Sequence, residues 1–278
     1  MNEQETKKIV RAGYAKVAKQ EGSCCGSSPS CCGGADFAQA ISKNIGYSAE
    51  ELNAVPEGAN LGLGCGNPVA LASLKKGETV LDLGSGAGFD CFLAAGRVGE
   101  RGRVIGIDMT PEMIEKAREN AEKGDYRNVE FRLGEIERLP IVDGIVDAVI
   151  SNCVINLSPN KKKVFAEVFR ALKPGGRMMI SDIVLLKELP DFIKNSVEAY
   201  IGCVSGAALK DEYLMAIKEA GFQDVKIMGE TAFPMEFMAN DPTAREIEEN
   251  LSIPREKIAE IANSIRSIKV HGVKPMST

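Results

Sequence analysis

Between residues 79 and 185 the chain alternates short apolar runs with amphipathic stretches. Thr79-Val-Leu-Asp-Leu83, 103–108, 129–133, 146–151 and 177–185 have strand length and apolar character. Residues 88–98, 111–123 and 160–172 place their apolar positions at helical spacing. Pro111 suits a first helical turn, and Lys173-Pro-Gly-Gly176 stops the third helix. Strands separated by helices of this length predict a parallel sheet with crossover connections. Beyond 185, helical patterns at 191–200 and 210–220 precede strands at 222–228 and 264–273, with helices near 243–250 and 254–263 between them. The predicted fold is a doubly wound α/β sheet of about seven strands, closed by a late hairpin pair.

The first sixty residues follow another pattern. Lys8 to Lys19 reads as an amphipathic helix with Ile9, Tyr14 and Val17 on one side, and Asp36 and Ser48 are candidate N-caps of short helices. Between them, residues 21–34 are rich in Gly and Ser and carry Cys24-Cys25 and Cys31-Cys32, a composition that predicts a loop. The chain thus divides into an N-terminal Cys-rich segment (1–57), a central α/β core (58–230) and a C-terminal part (231–278) whose helices precede a last strand completing the sheet.

Composition narrows the chemistry. Of 278 residues 44% are hydrophobic and 26% charged, the balance of a globular chain. A net charge of -5 without a dense basic run excludes a nucleic-acid grip. No apolar stretch reaches membrane-span length and residues 1–19 carry no signal-peptide core, so no membrane partner and a cytoplasmic location are expected. The single histidine, His271, leaves little basis for a Ser-His-Asp or His-ligated metal site, and no role is assigned to it. Eight cysteines, at 24, 25, 31, 32, 65, 91, 153 and 203, direct attention to sulfur.

Asp82-Leu-Gly84-Ser85-Gly86-Ala-Gly88 falls where the first strand meets the first helix. Its glycines allow close backbone approach to a ligand, but position 89 is Phe, so the dinucleotide pattern is not met. Asp82 would repel a pyrophosphate and attract a cation. Asp108 ends the second strand, where an acid accepts both hydroxyls of a ribose. An adenosine end, a cationic centre and no phosphate describe S-adenosylmethionine. From about Gly58 to Ile180 the sequence resembles the class I (Rossmann-like) SAM-dependent methyltransferases. That resemblance implies cofactor contacts from Met109, from Glu135 and Ile136, and from Asn152, beside Asp82, Gly84, Ser85, Gly86 and Asp108.

Cys65, Cys153 and Cys203 come from three remote segments, each expected at the carboxyl edge of the sheet. Each alone reads as packing, whereas three thiols at one rim suggest a soft-ion site. Gly-Cys65-Gly-Asn-Pro, Gly-x-Asp90-Cys91, Ser-Asn-Cys153-Val-Ile-Asn-Leu and Gly-Cys203 closely resemble the arsenite methyltransferases, over about residues 45–230. The resemblance implies arsenite or an arsenic-thiol conjugate as substrate and thioredoxin or glutathione as reductant. It makes Cys65, Cys153 and Cys203 the arsenic ligands or redox partners, with Cys31, Cys32, Cys24 or Cys25 as a further thiol. Some members have Tyr where this chain has Leu63; Cys91 reads as packing. Two alternatives stay open: a SAM-dependent methyltransferase of a small organic molecule of the quinone-precursor type, and a non-catalytic metalloid-binding protein.

Overall fold

The computed structural model describes residues 3–19, 34–194, 203–232 and 260–276. Seven strands form one sheet: β1 (Thr79–Leu83), β2 (Arg103–Asp108), β3 (Val129–Leu133), β4 (Val146–Asn152), β5 (Leu172–Leu185), β6 (Gln223–Ala232) and β7 (Ile265–Val273). Their order is β3-β2-β1-β4-β5-β7-β6. The first five pair in parallel, and β7 runs antiparallel between β5 and β6. The doubly wound seven-stranded arrangement expected from the alternation of runs is the one observed.

The period of two inside each strand divides the core between the two faces. Leu81, Leu83, Ile105, Ile107, Val149, Met178 and Ile180 face one way. They pack against Val164, Phe165 and Val168 of the helix Lys161–Ala171 and Tyr213 and Ile217 of the helix Lys210–Glu219. Val80, Val104, Ala148, Ile150 and Met179 face the other way, against Phe92, Ala94 and Ala95 of the helix Phe89–Val98 and Ile114 and Ala117 of the helix Pro111–Lys123. Strands buried on both sides read as continuous apolar runs, which is why the sequence marks them so clearly.

Three local expectations need correction. The helix after β4 ends at Ala171 and β5 begins at once with Leu172, so Lys173-Pro-Gly-Gly176 lies inside the strand. Leu172 pairs with Val146, the register then shifts, and pairing resumes at Arg177, so this stretch works as an irregularity rather than a loop. The first helix starts at Glu3, and its most buried residues are Thr6, Val10 and Ala18, with Ile9, Tyr14 and Val17 half-buried. The next begins at Gly34, ahead of Asp36, whereas Ser48 does cap Ala49–Asn53 with a reciprocal bond to Glu51. Cys24, Cys25, Cys31 and Cys32, and the helices expected at 243–250 and 254–259, lie outside the described residues.

β1 lies between β2 and β4, so the chain leaves it in opposite directions on its two sides. In open α/β sheets a ligand binds beyond the strands' carboxyl ends at such a point. A third buried cluster extends that edge, joining Val10, Cys65, Cys153, Ile183, Cys203 and Ile265.

Candidate active site

A pocket opens at this edge, lined by the β1–α turn, the ends of β2 and β4, the 60–64 loop and the first helix. Gly84 has φ +66° and a Cβ there would stand 2.3 Å from Val154 Cγ2, so only glycine fits. Gly86 donates its N–H to Asp108 Oδ2 at 3.0 Å, and Thr110 N donates to Asp108 Oδ1 at 2.8 Å. Burial raises the Asp108 carboxyl while these backbone donors oppose the rise. Asp82 is 2% exposed, and the Cys91 thiol donates to its Oδ2 at 3.2 Å. Burial, then the Asp90 carboxylate, push Asp82 well above the usual range. A cation would relieve both. Ser85 Oγ is buried without a hydrogen-bond partner among the described residues, a polar atom ready for a ligand. Two acids, an orphaned hydroxyl and a turn with no room for a Cβ suit a cationic adenosyl ligand.

Met109, Ile136 and Asn152 line the pocket, and so does Leu63, 41% exposed. Glu135 does not line it. Its carboxylate turns to Lys7 Nζ at 2.8 Å and to Arg11, while its neighbour Glu137 faces the pocket, 5% exposed. Asn152 is occupied by protein groups: its Oδ1 accepts from Cys65 N at 2.9 Å, and its Nδ2 lies within reach of Gly66 O, Tyr47 OH and Asp90 Oδ2. It clips the cysteine-bearing loop to β4. Tyr47 OH also donates to Asp90 Oδ1 at 2.6 Å, so Tyr47 and Asp90 complete a clasp that the sequence did not suggest.

The three cysteines meet at the inner wall. Cys65 is 5%, Cys153 7% and Cys203 3% exposed, and none of them forms a disulfide. The Cys65 and Cys153 sulfurs lie within 4.8 Å of each other and of a carboxylate oxygen of Asp182. The Cys203 thiol donates to Cys153 O at 3.0 Å. Cys153 and Cys203 adopt φ of +58° and +64°, a costly backbone for side-chain-bearing residues that concentrates at functional sites. The neighbouring thiols of Cys203 and Cys65, with burial, hold Cys153 well above the ordinary thiol range; burial raises Cys65 as well. Of the three, only Cys153 also lines the pocket. Tyr14 of the first helix packs against this cluster and lines the pocket too, with its hydroxyl beside Cys203.

Beside the thiols lies a buried polar group. Asp182, fully buried, accepts from Asn156 Nδ2 at 2.8 Å, Ile183 N at 2.9 Å and Tyr213 OH at 2.9 Å. Burial pushes its carboxyl up from 3.8 to about 6 against these donors. A folded-state value above the unfolded one means that this group's contribution to stability is fully present below pH ~4 and is lost as pH rises through 6. A shift of that size corresponds to about 3 kcal/mol. Asp182→Asn is therefore expected to lose less stability than wild type between pH 4 and 7, read from urea unfolding. Parallel pH slopes would show that the carboxyl titrates normally.

Residues 74–221, just over half of the chain, match the family described as "Methyltransferase domain". The arsenite methyltransferase of Halobacterium salinarum is 51% identical over 231 residues, 81% of this chain and 59% of that one. That of Aquipseudomonas alcaligenes is 40% identical over 59% of this chain and 49% of its own length. The chain thus spans about half to three-fifths of the length of these relatives. The crystal structure of an arsenic(III) S-adenosylmethionine methyltransferase from Chlamydomonas reinhardtii superposes with a TM-score of 0.61 at 31% identity, covering 86% of this chain and 73% of that one. By its domain match, its relatives and its fold, the chain belongs to the methyltransferase-domain family, in the arsenite methyltransferase branch.

Proposed function

We propose that this protein moves a methyl group from S-adenosylmethionine to trivalent arsenic held on Cys65, Cys153 and Cys203. One observation carries the reading: thiols from three remote segments gather in one buried cluster against a pocket walled by Asp82 and Asp108.

Arsenite at neutral pH is As(OH)3. It condenses with three thiols to As(S-Cys)3, and each thiol hydrogen leaves with an arsenic hydroxyl as water. Because each thiol carries its own hydrogen into that water, the exchange needs no general base, in keeping with a chain whose one histidine stands at 271. S-adenosylmethionine, when bound, supplies an electrophilic methyl on a sulfonium sulfur. Asp108 would accept the ribose hydroxyls while still holding Gly86 N and Thr110 N, and Asp82, also in the pocket lining, would face the cationic end. Cys153, lining both pocket and cluster, sets how arsenic meets the methyl, for which a near-attack separation is ~3–3.5 Å along the C–S axis. No proton moves in that step.

Methylation formally oxidises arsenic, and thiol exchange with thioredoxin or glutathione returns the electrons. Cys24, Cys25, Cys31 and Cys32 are candidates for an intermediate dithiol. Such chemistry suits a cytoplasmic, reducing setting, and no helix among the described residues is long and apolar enough to cross a membrane. Incubation of the purified protein with S-adenosylmethionine, arsenite and a thioredoxin system should yield methylated arsenicals and matching S-adenosylhomocysteine. Arsenite bound without S-adenosylhomocysteine would show a metalloid-binding protein instead.

A further inference from the structure

Asp182 is the one acid within 4.8 Å of both the Cys65 and Cys153 sulfurs among the described residues. Unlike Asp82 and Asp108 it does not line the cofactor pocket, and it stands on β5 directly after Ser181, whose carbonyl accepts from Cys153 N at 2.8 Å. Three donors orient its carboxylate. No cation lies within 4.0 Å of it among the described residues. Lys161 attracts it from farther off, with Nζ turned to the Asn156 and Ser158 carbonyls. A buried carboxylate without a close cation, set against a ligand cluster, is costly unless positive charge appears beside it.

The methyl transfer creates that charge. The arsenic lone pair forms the As–C bond as the sulfonium C–S bond breaks, its electron pair staying on sulfur. The cofactor sulfur becomes neutral and the arsenic, bound to three thiolates and a methyl, carries the positive charge. Atoms and charge balance with no proton and no outside electron donor. We infer that Asp182 is a charge-stabilising residue of this reaction: its carboxylate, fixed within 4.8 Å of the Cys65 and Cys153 sulfurs, favours the cation developing on arsenic. This rests on the reading that those cysteines hold arsenic. Before transfer As(S-Cys)3 is neutral, so the carboxylate adds little to arsenite binding; its effect grows only as the bond forms, which is the condition for raising a rate rather than an affinity.

Asp182→Asn keeps the side chain's shape, an acceptor for Asn156 and Ile183, and a group for Tyr213, whose hydroxyl can rotate to accept. The test is single-turnover methylation of pre-bound arsenite, beside arsenite affinity read from thiolate–arsenic ultraviolet absorption and thermal unfolding. The expected result is a rate lowered roughly 10²-fold, with arsenite affinity within about threefold of wild type. Asp182→Glu, which keeps the charge, is expected to recover to within roughly tenfold of wild type. A rate for Asp182→Asn within threefold of wild type, an affinity that falls in step with the rate, or Asp182→Glu as slow as Asp182→Asn would each overturn the assignment. The wild-type arm separates the two readings: no methylated product there defeats the arsenic reading itself.

Discussion

Cys153→Ser is expected to lower arsenite methylation by about 10³-fold or more, a loss on the order of 4 kcal/mol in the transition state. Three observations single out this thiol. It lines the pocket where Cys65 and Cys203 do not. Its carbonyl receives the Cys203 thiol, and its sulfur lies beside that of Cys65. Its backbone is locked at φ +58° by the bond from its N–H to Ser181 O. A hydroxyl is close in size to a thiol but is a hard ligand, so the site keeps its shape and loses a soft donor. S-adenosylmethionine binding by calorimetry should stay unchanged, because Asp108 and the Gly84–Gly86 turn do not depend on the sulfur. Turnover within tenfold of wild type, with the substitution confirmed, would mean that the thiols pack together for stability alone and would favour an organic methyl acceptor.

The sequence made the sheet and the sulfur legible because each leaves a strong signal. Strands buried on both faces are unbroken apolar runs, and three cysteines in a chain with one histidine stand out. The polar supports were harder to see. Asp182 interrupts the apolar run Met178–Leu185, and a lone acid inside a doubly buried strand was the available clue. Tyr14 and Tyr47 come from helices and loops far away in sequence, where a tyrosine reads as ordinary packing until its neighbours are known. Glu135 and Glu137 share one turn and both pair with Lys7, and only the three-dimensional path shows that the second lines the pocket while the first does not. The family resemblance made Asn152 a cofactor contact, and its amide also holds the Cys65 loop, so it acts on the thiol side of the site as well.

Coupling between the cofactor turn and the thiols is where a single methyl group should have its largest effect on the fold. Gly84 needs its φ of +66°, and an added Cβ would meet Val154 Cγ2 at 2.3 Å and Val154 Cβ at 2.7 Å. Left-handed backbone costs an alanine about 1 kcal/mol, and overpacking adds about 1–3 kcal/mol. For Gly84→Ala a melting temperature roughly 5–10 °C below wild type is expected. Val154 directly follows Cys153, so any yielding of its side chain displaces the thiol, and methylation should fall even at saturating cofactor. Val154→Ala alone removes two methyl groups from a half-buried site and costs less. Combined, the two changes relieve the clash but not the backbone strain. The double variant should therefore lose about 1–3 kcal/mol less than the sum of the two single losses, the coupling read in a double-mutant cycle. Additive losses would show that the turn and the thiol segment move independently, and that the cofactor loop does not set the position of Cys153.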